Sequence, residues 1–176
     1  MTVVQPFTNY YLIGMPGSGK TTLGRQAAQQ LNMQFVDLDK EIESNEQRTI
    51  ADIFEQDGEV YFRKLESEYL ERIKSISQSK IVATGGGTPC FHHNMQVMLQ
   101  SGVTVFLDVP PSLLVERLNA VAPVRPLLKS GTEHDLWQKL ENMYYQRKPY
   151  YEKAIYQLTG EEVSLANLIK LIQSTI

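Results

Sequence analysis

The chain has 176 residues, 42% of them hydrophobic and 21% charged, with a formal net charge of −3. That size and balance fit one soluble globular domain over residues 1–176 with an ordinary core, and the acidic balance gives no general affinity for nucleic acid. No run approaches the length of a membrane span, and Met1-Thr2-Val3-Val4-Gln5-Pro6 lacks the basic and apolar regions of a secretory signal.

Tyr10–Ile13 is aromatic and β-branched and reads as a strand. Gly14-Met15-Pro16-Gly17-Ser18-Gly19-Lys20-Thr21 follows and fits G-x-x-x-x-G-K-[ST] at every fixed position. A helical pattern over Thr21–Leu31 comes next, with Leu23, Ala27, Ala28 and Leu31 on one face. Strand, glycine loop and helix together form a phosphate cradle. Glycines let backbone N–H groups converge on a polyphosphate, and the helix N-terminus adds positive potential. Lys20 can reach the β- and γ-phosphates, and the Thr21 hydroxyl can ligate Mg²⁺.

Phe35–Leu38 reads as the second strand. Side chains alternate along a strand, so Asp37 and Asp39 both fall on one side near its end. One carboxylate can hold Mg²⁺ through water and the other can bind a polar substrate or take its proton. Equally, Asp39 can cap a helix starting near Lys40. A helical pattern over Ile50–Glu55 ends before Gly58, and another runs over Glu59–Ser75. Arg63 and Glu66 are i,i+3 neighbours there, either as a surface ion pair or with Glu66 aiming a guanidinium at a substrate carboxylate.

Lys80–Ala83 is the third strand, ended by Thr84-Gly85-Gly86-Gly87-Thr88. Three glycines at a strand end mark a tight bend or the close approach of a ligand to bare backbone. Cys90 is the lone cysteine, which leaves no intramolecular disulfide and, with the missing signal, points to the cytoplasm. Asn94–Ser101 is helical, Val103–Leu107 is the fourth strand and Pro111–Leu118 a further helix carrying Arg117. Arg117 is either a surface residue or one that stacks on a base.

Residues 119–131 lack apolar periodicity, and Pro123 and Pro126 flank Arg125. Such a stretch is an ordinary connection or a lid over a phosphate site. Glu133–Tyr151 reads as a helix kinked or ended near Pro149, with Arg147 on it and its tyrosines packed; Ile155–Leu158 is the fifth strand and Leu165–Ile172 the last helix. His92, His93 and His134 form no metal-ligand pattern. Strands alternating with helices predict an α/β fold with a parallel sheet covered on both faces, a three-layer sandwich. Ligand is then expected at the carboxyl ends of the strands, where the loops Gly14–Lys20, Asp37–Asp39, Thr84–Thr88 and Asp108–Pro110 open.

The order and spacing of Gly14–Thr21, Asp37-Leu38-Asp39, Gly58–Arg63, Gly85-Gly86-Gly87, Arg125-Pro126-Leu127-Leu128 and Arg147–Glu152 closely resemble those of shikimate kinases. The resemblance runs almost end to end. It implies the nucleoside-monophosphate-kinase type of P-loop fold, with a five-stranded parallel sheet, a substrate-binding helical region and a lid at about 119–131. It implies ATP and Mg²⁺ as cofactors and phosphorylation of a shikimate hydroxyl to shikimate 3-phosphate, in aromatic amino-acid biosynthesis, by a monomeric enzyme. Gly17, Ser18, Gly19, Lys20, Thr21 and Thr22 would then hold ATP, Thr21 and Asp37 the metal, and Arg117 the adenine. Asp39, Arg63, Gly86, Gly87 and Arg147 would hold shikimate, with Glu66 steadying Arg63. Lys20, Asp39 and Arg125 would be catalytic, Asp39 as base and Arg125 from the lid. The chain departs from the commoner pattern at Thr88-Pro89-Cys90-Phe91-His92-His93, a departure that bears on local helix geometry and not on substrate contacts. It also carries no arginine in Thr159–Ser164. Two rival readings stand beside this one: a kinase for another small hydroxy acid such as gluconate, and a nucleotide-dependent binding module without an acceptor pocket.

Overall fold

The structure is a computed structural model that describes residues 8–74, 78–120 and 133–175. Five strands, β1 (Asn9–Ile13), β2 (Gln34–Asp37), β3 (Lys80–Ala83), β4 (Gly102–Asp108) and β5 (Tyr156–Thr159), form one sheet in the order β2-β3-β1-β4-β5. Every pairing is parallel. The register sets Asp37 beside Ala83, Ala83 beside Leu12, Ile13 beside Phe106 and Asp108 beside Thr159. All five carboxyl ends therefore meet at one edge, and the loops that follow them share it.

Among the described residues eight α-helices accompany the strands, the last of them after β5: α1 (Lys20–Gln30), α2 (Leu38–Glu46), α3 (Ile50–Gln56), α4 (Gly58–Lys74), α5 (Asn94–Ser101), α6 (Pro111–Ala120), α7 (Glu133–Tyr151) and α8 (Leu165–Gln173). Side-chain alternation places them in layers. A Cβ at Gly24 of α1 would lie 2.9 Å from Leu12 and from Phe35, so α1 rides on that face. Tyr10, of the same parity as Leu12, shares a hydrogen bond with Thr175, just past α8. Tyr11 points the other way and its hydroxyl meets Ser101 at the end of α5. The sheet is thus buried between two helical layers, and β1 has all five residues buried. This is why Tyr10–Ile13 is a continuous apolar run rather than an alternating one. Among the described residues no helix is long and apolar enough to cross a membrane.

The helix expected near Lys40 is present as α2, but it begins earlier and its cap is a different aspartate. The second strand stops at Asp37, and the chain turns directly into α2 with Asp37 as its cap, its carboxylate accepting from Lys40 N. The expected cap, Asp39, lies instead in the first turn of that helix. Pro149 sits in the last turn of α7, and the helix ends two residues later at Tyr151, near the proline as expected. Of the tyrosines there, Tyr144 and Tyr151 are buried while Tyr145 and Tyr150 are exposed. α6 extends to Ala120, into the first two residues of the expected lid. Residues 121–131 of that lid, Arg125 among them, lie outside the described residues.

Sheet closure leaves no room at Gly102, where a Cβ would come within 2.1 Å of the Asn9 carbonyl oxygen. That atom is backbone, so no rotamer change relieves the clash. Gly102→Ala should destabilise the fold by about 1–3 kcal/mol or more. Urea unfolding should show a lower midpoint with the slope retained; an unchanged midpoint would contradict this packing.

Candidate active site

The loop from β1 to α1 owes its shape to its glycines. Gly14, Gly17 and Gly19 take φ of 140°, 82° and 97°, values that side-chain-bearing residues rarely adopt. α1 starts on Gly19, and among the described residues no side chain caps it. Its first-turn N–H groups are oriented toward the loop, an arrangement suited to anions. Lys20 is buried, and its ammonium donates to the carbonyls of Gly14 at 2.9 Å and Met15 at 2.8 Å. The loop's own oxygens hold the charge at its centre. Arg117 of α6 is exposed and reaches the Ser18 carbonyl at 3.5 Å. Thr22 is exposed on the first turn of α1.

Thr21 Oγ1 donates to Asp37 Oδ2 at 2.8 Å, joining the start of α1 to the end of β2. These are hard oxygen donors next to the phosphate loop, a set that suits Mg²⁺ completed by water and phosphate oxygens. Among the described residues no group of three or more His, Cys, Asp or Glu could hold a metal on its own.

Next to this pair opens a cavity of about 430 Å³, within the range of small-molecule sites. Asp37, Asp39, Arg63, Glu66, Gly86, Gly87 and Arg147 all line it. Phe54, Phe62 and Met143 supply apolar wall, three residues the sequence shows only as helix-face hydrophobics. Six segments, β2, α2, α3, α4, the glycine run after β3 and α7, thus converge on one chamber that is continuous with Thr21 of the phosphate loop.

Arg63 is not the surface residue its helical spacing allows. It is 4% exposed, and Glu66 is 0% exposed. Arg63 Nη1 donates to Glu66 at 2.6 Å, while Nε and Nη2 donate to Glu59 at 3.1 and 2.9 Å. Of five guanidinium hydrogens, these bonds use three and leave one on each terminal nitrogen. Burial pushes the Glu66 carboxyl up, opposed by Arg63 and by the Thr88 hydroxyl. Burial also penalises the charge on Arg63, but Glu66 and Glu59 outweigh it and hold the guanidinium above its ordinary pKa. Short, charge-assisted contacts decide for an ion pair.

The glycine run is needed for close approach, and the groups that approach belong to the chain itself. A Cβ on Gly85 would lie 2.7 Å from Glu66 and 2.9 Å from Asp39. On Gly86 it would lie 3.1 Å from Arg147, and on Gly87 2.6 Å from Arg63. Arg147 is held from α7, where Tyr144, Arg147 and Tyr151 share a face by i,i+3,i+7 spacing. The Tyr144 hydroxyl donates to Asp108 at 2.8 Å and that of Tyr151 to the Gly86 carbonyl at 2.5 Å. Two tyrosines thus pin the helix on either side of the arginine. Burial pushes the Tyr151 hydroxyl pKa up and keeps it a donor.

Cys90 lies nearby, and burial pushes its thiol up to about 11 against the pull of Arg147 and Arg63. Only the thiolate reacts. At pH 8 the folded protein should react with iodoacetamide about a hundredfold more slowly than an unperturbed cysteine. Rapid alkylation at pH 8, without unfolding, would contradict this burial.

The geometry has counterparts among known proteins. Residues 16–175 match the family model described as shikimate kinase. A shikimate kinase of Phocaeicola vulgatus is 39% identical over 156 residues, 89% of each chain. One from Sulfurihydrogenibium sp. is 39% identical over 168 residues, 96% of this chain and 97% of that one. The crystal structure of the Bacteroides thetaiotaomicron shikimate kinase superposes with a TM-score of 0.88 at 34% identity, covering 94% of this chain and 98% of that one. The Acinetobacter baumannii shikimate kinase, in complex with shikimate, gives 0.84 at 35% identity, covering 96% and 94%. A deoxyadenosine kinase from M. mycoides shares the fold alone, at 14% identity and a TM-score of 0.57. With similarity from the phosphate loop to the last helix, the chain belongs to the shikimate kinase family.

Proposed function

We propose that this enzyme transfers the γ-phosphoryl group of ATP to a hydroxyl of shikimate, giving shikimate 3-phosphate and ADP. The observation that carries the reading is the single chamber in which a phosphate loop meets two arginines and two aspartates. A nucleotide-binding module needs no such acceptor pocket.

Phosphoryl transfer depends on positioning and charge neutralisation. Lys20 exchanges its bonds to the Gly14 and Met15 carbonyls for phosphate oxygens. The α1 amides bind the same oxygens, with Gly17, Ser18, Gly19 and Thr22 around them. Thr21 and Asp37 would hold Mg²⁺, and the ion would supply neutralisation of the phosphate charge. Arg63 and Arg147 bind the shikimate carboxylate, and Gly86 and Gly87 offer backbone beside it. Asp39 accepts from the attacking hydroxyl and orients it in line. The new bond forms from that oxygen to the γ-phosphorus, the bond to the ADP oxygen breaks, and Asp39 takes the proton. Arg117, which reaches the Ser18 carbonyl, would contact the adenine; Arg125, expected to act on the phosphates, lies outside the described residues.

A coupled ADP-release assay tests the reading. Turnover should depend on shikimate and not on gluconate, and ADP release without an acceptor should be slow. Lys20→Ala should lower kcat about a hundredfold or more with the far-ultraviolet circular dichroism unchanged. Shikimate-independent turnover, or full activity in that variant, would sink the assignment.

Lysine keeps the charge but loses the planar fork. Arg63→Lys and Arg147→Lys should each forfeit a charge-assisted contact of about 1.5–3 kcal/mol, or about ten- to a hundredfold in shikimate affinity. ATP affinity should change less than twofold in calorimetry. Parental shikimate binding in both variants would remove the carboxylate clamp.

A further inference from the structure

The segment between the glycine run and α5 touches the ion pair at two points. Thr88 is fully buried, and its hydroxyl donates to Glu66 Oε1 at 2.5 Å. The Phe91 ring lies under the Arg63 guanidinium, 4.3 Å from its centroid to Cζ, and the Phe62 ring is 5.2 Å away. The segment is itself fixed. Asn94 Nδ2 donates to the Thr88 carbonyl at 3.0 Å, and Asn94 N donates to the Phe91 carbonyl at 2.9 Å. Left-handed His92 and His93, with φ of 48° and 59°, turn the chain between Phe91 and α5.

The contacts complement those made within α4. Glu59 and Glu66 are helical neighbours of Arg63, and their bonds lie along the edges of the guanidinium. They set its rotation in its own plane. They do little against tilt out of that plane, and they move with the helix that carries all three. An aromatic face supplies the missing restraint and also excludes water from the charge. The Thr88 hydroxyl ties the Glu66 carboxylate to a second element, so the pair is referenced to the β3 end and not to α4 alone.

We propose that Phe91 and Thr88 are positioning residues that hold the plane of Arg63 for the acceptor carboxylate, Phe91 by stacking on the guanidinium and Thr88 through Glu66. The inference rests on the reading of Arg63 as part of the carboxylate clamp. Neither residue touches the acceptor in this scheme.

Phe91→Leu is the main test, because Phe91 is 37% exposed and its loss spares the core. The shikimate KM and calorimetric Kd should rise about three- to tenfold. The ATP KM should stay within twofold and the melting temperature should barely move. Phe91→Tyr should restore shikimate binding. Thr88→Val should raise the shikimate KM in the same way and Thr88→Ser should restore it; if the valine variant does not fold, the Phe91 pair still decides. In an Arg63→Lys background Phe91→Leu should add less than twofold, since the planar partner is gone. Three results overturn the proposal: a Phe91→Leu change under twofold with Arg63 intact, a parallel rise in both KM values that tyrosine does not reverse, or an undiminished effect in the Arg63→Lys background. Arg63→Lys alone tests the clamp separately. A normal shikimate Kd there rejects the clamp, whereas a raised Kd with silent Phe91 and Thr88 variants rejects only the positioning role.

Discussion

The chamber beside the phosphate loop, the proposed acceptor site, is organised around one buried ion pair, Arg63 with Glu66. Taking two charges out of water is costly, and the attraction between them offsets the cost only with good geometry and further hydrogen bonds. Those bonds are present: Glu59 on two guanidinium nitrogens and Thr88 on the carboxylate. Losing one partner of such a pair leaves a buried, uncompensated charge, typically at about 3–5 kcal/mol. The neighbourhood is therefore constrained by the pair. Gly87 must lack a side chain because the guanidinium occupies that volume, and Gly85 must lack one because Glu66 and Asp39 do.

The phosphate side obeys a different constraint, the geometry of a parallel sheet. Because all five strands run the same way, their carboxyl ends share one edge. The glycine loop after β1, the aspartate after β2 and the glycine run after β3 become neighbours there, although about 70 residues separate the first from the last. The Thr21–Asp37 bond and the Tyr151–Gly86 bond are local consequences of that convergence. One ties α1 to β2, the other ties α7 to β3, and between them lies the chamber.

Much of this was legible from residue order. The phosphate loop, the five strands and most helices follow from periodicity and from the glycine–lysine–threonine spacing, because those signals are local. Lys80–Ala83, Asn94–Ser101 and Glu133–Tyr151 have the bounds that their patterns suggest. The short α2 helix was harder to see. Asp37-Leu38-Asp39 continues the alternation of a strand, yet Asp37 captures Lys40 N and starts a helix. A cap of this kind competes with strand extension on nearly equal terms, and packing of Leu38 and Ile42 into the core settles it.

The sequence by itself determined the nucleotide loop, the parallel α/β class and the family resemblance, since each rests on residues close together in the chain. Only the tertiary structure decided which charged residues are buried. A helical i,i+3 Arg–Glu pair reads the same on a surface as in a core, and only the elements packed against Arg63 and Glu66 remove it from water. The same holds for Phe91 and Thr88. Their contacts with the pair span 28 and 22 residues of sequence, from Arg63 to Phe91 and from Glu66 to Thr88, distances over which no local pattern carries information. The three adjacent glycines were visible as a demand for space. The groups that fill that space, the side chains of Asp39, Arg63, Glu66 and Arg147, come from three other elements and meet only when the sheet edge brings them together.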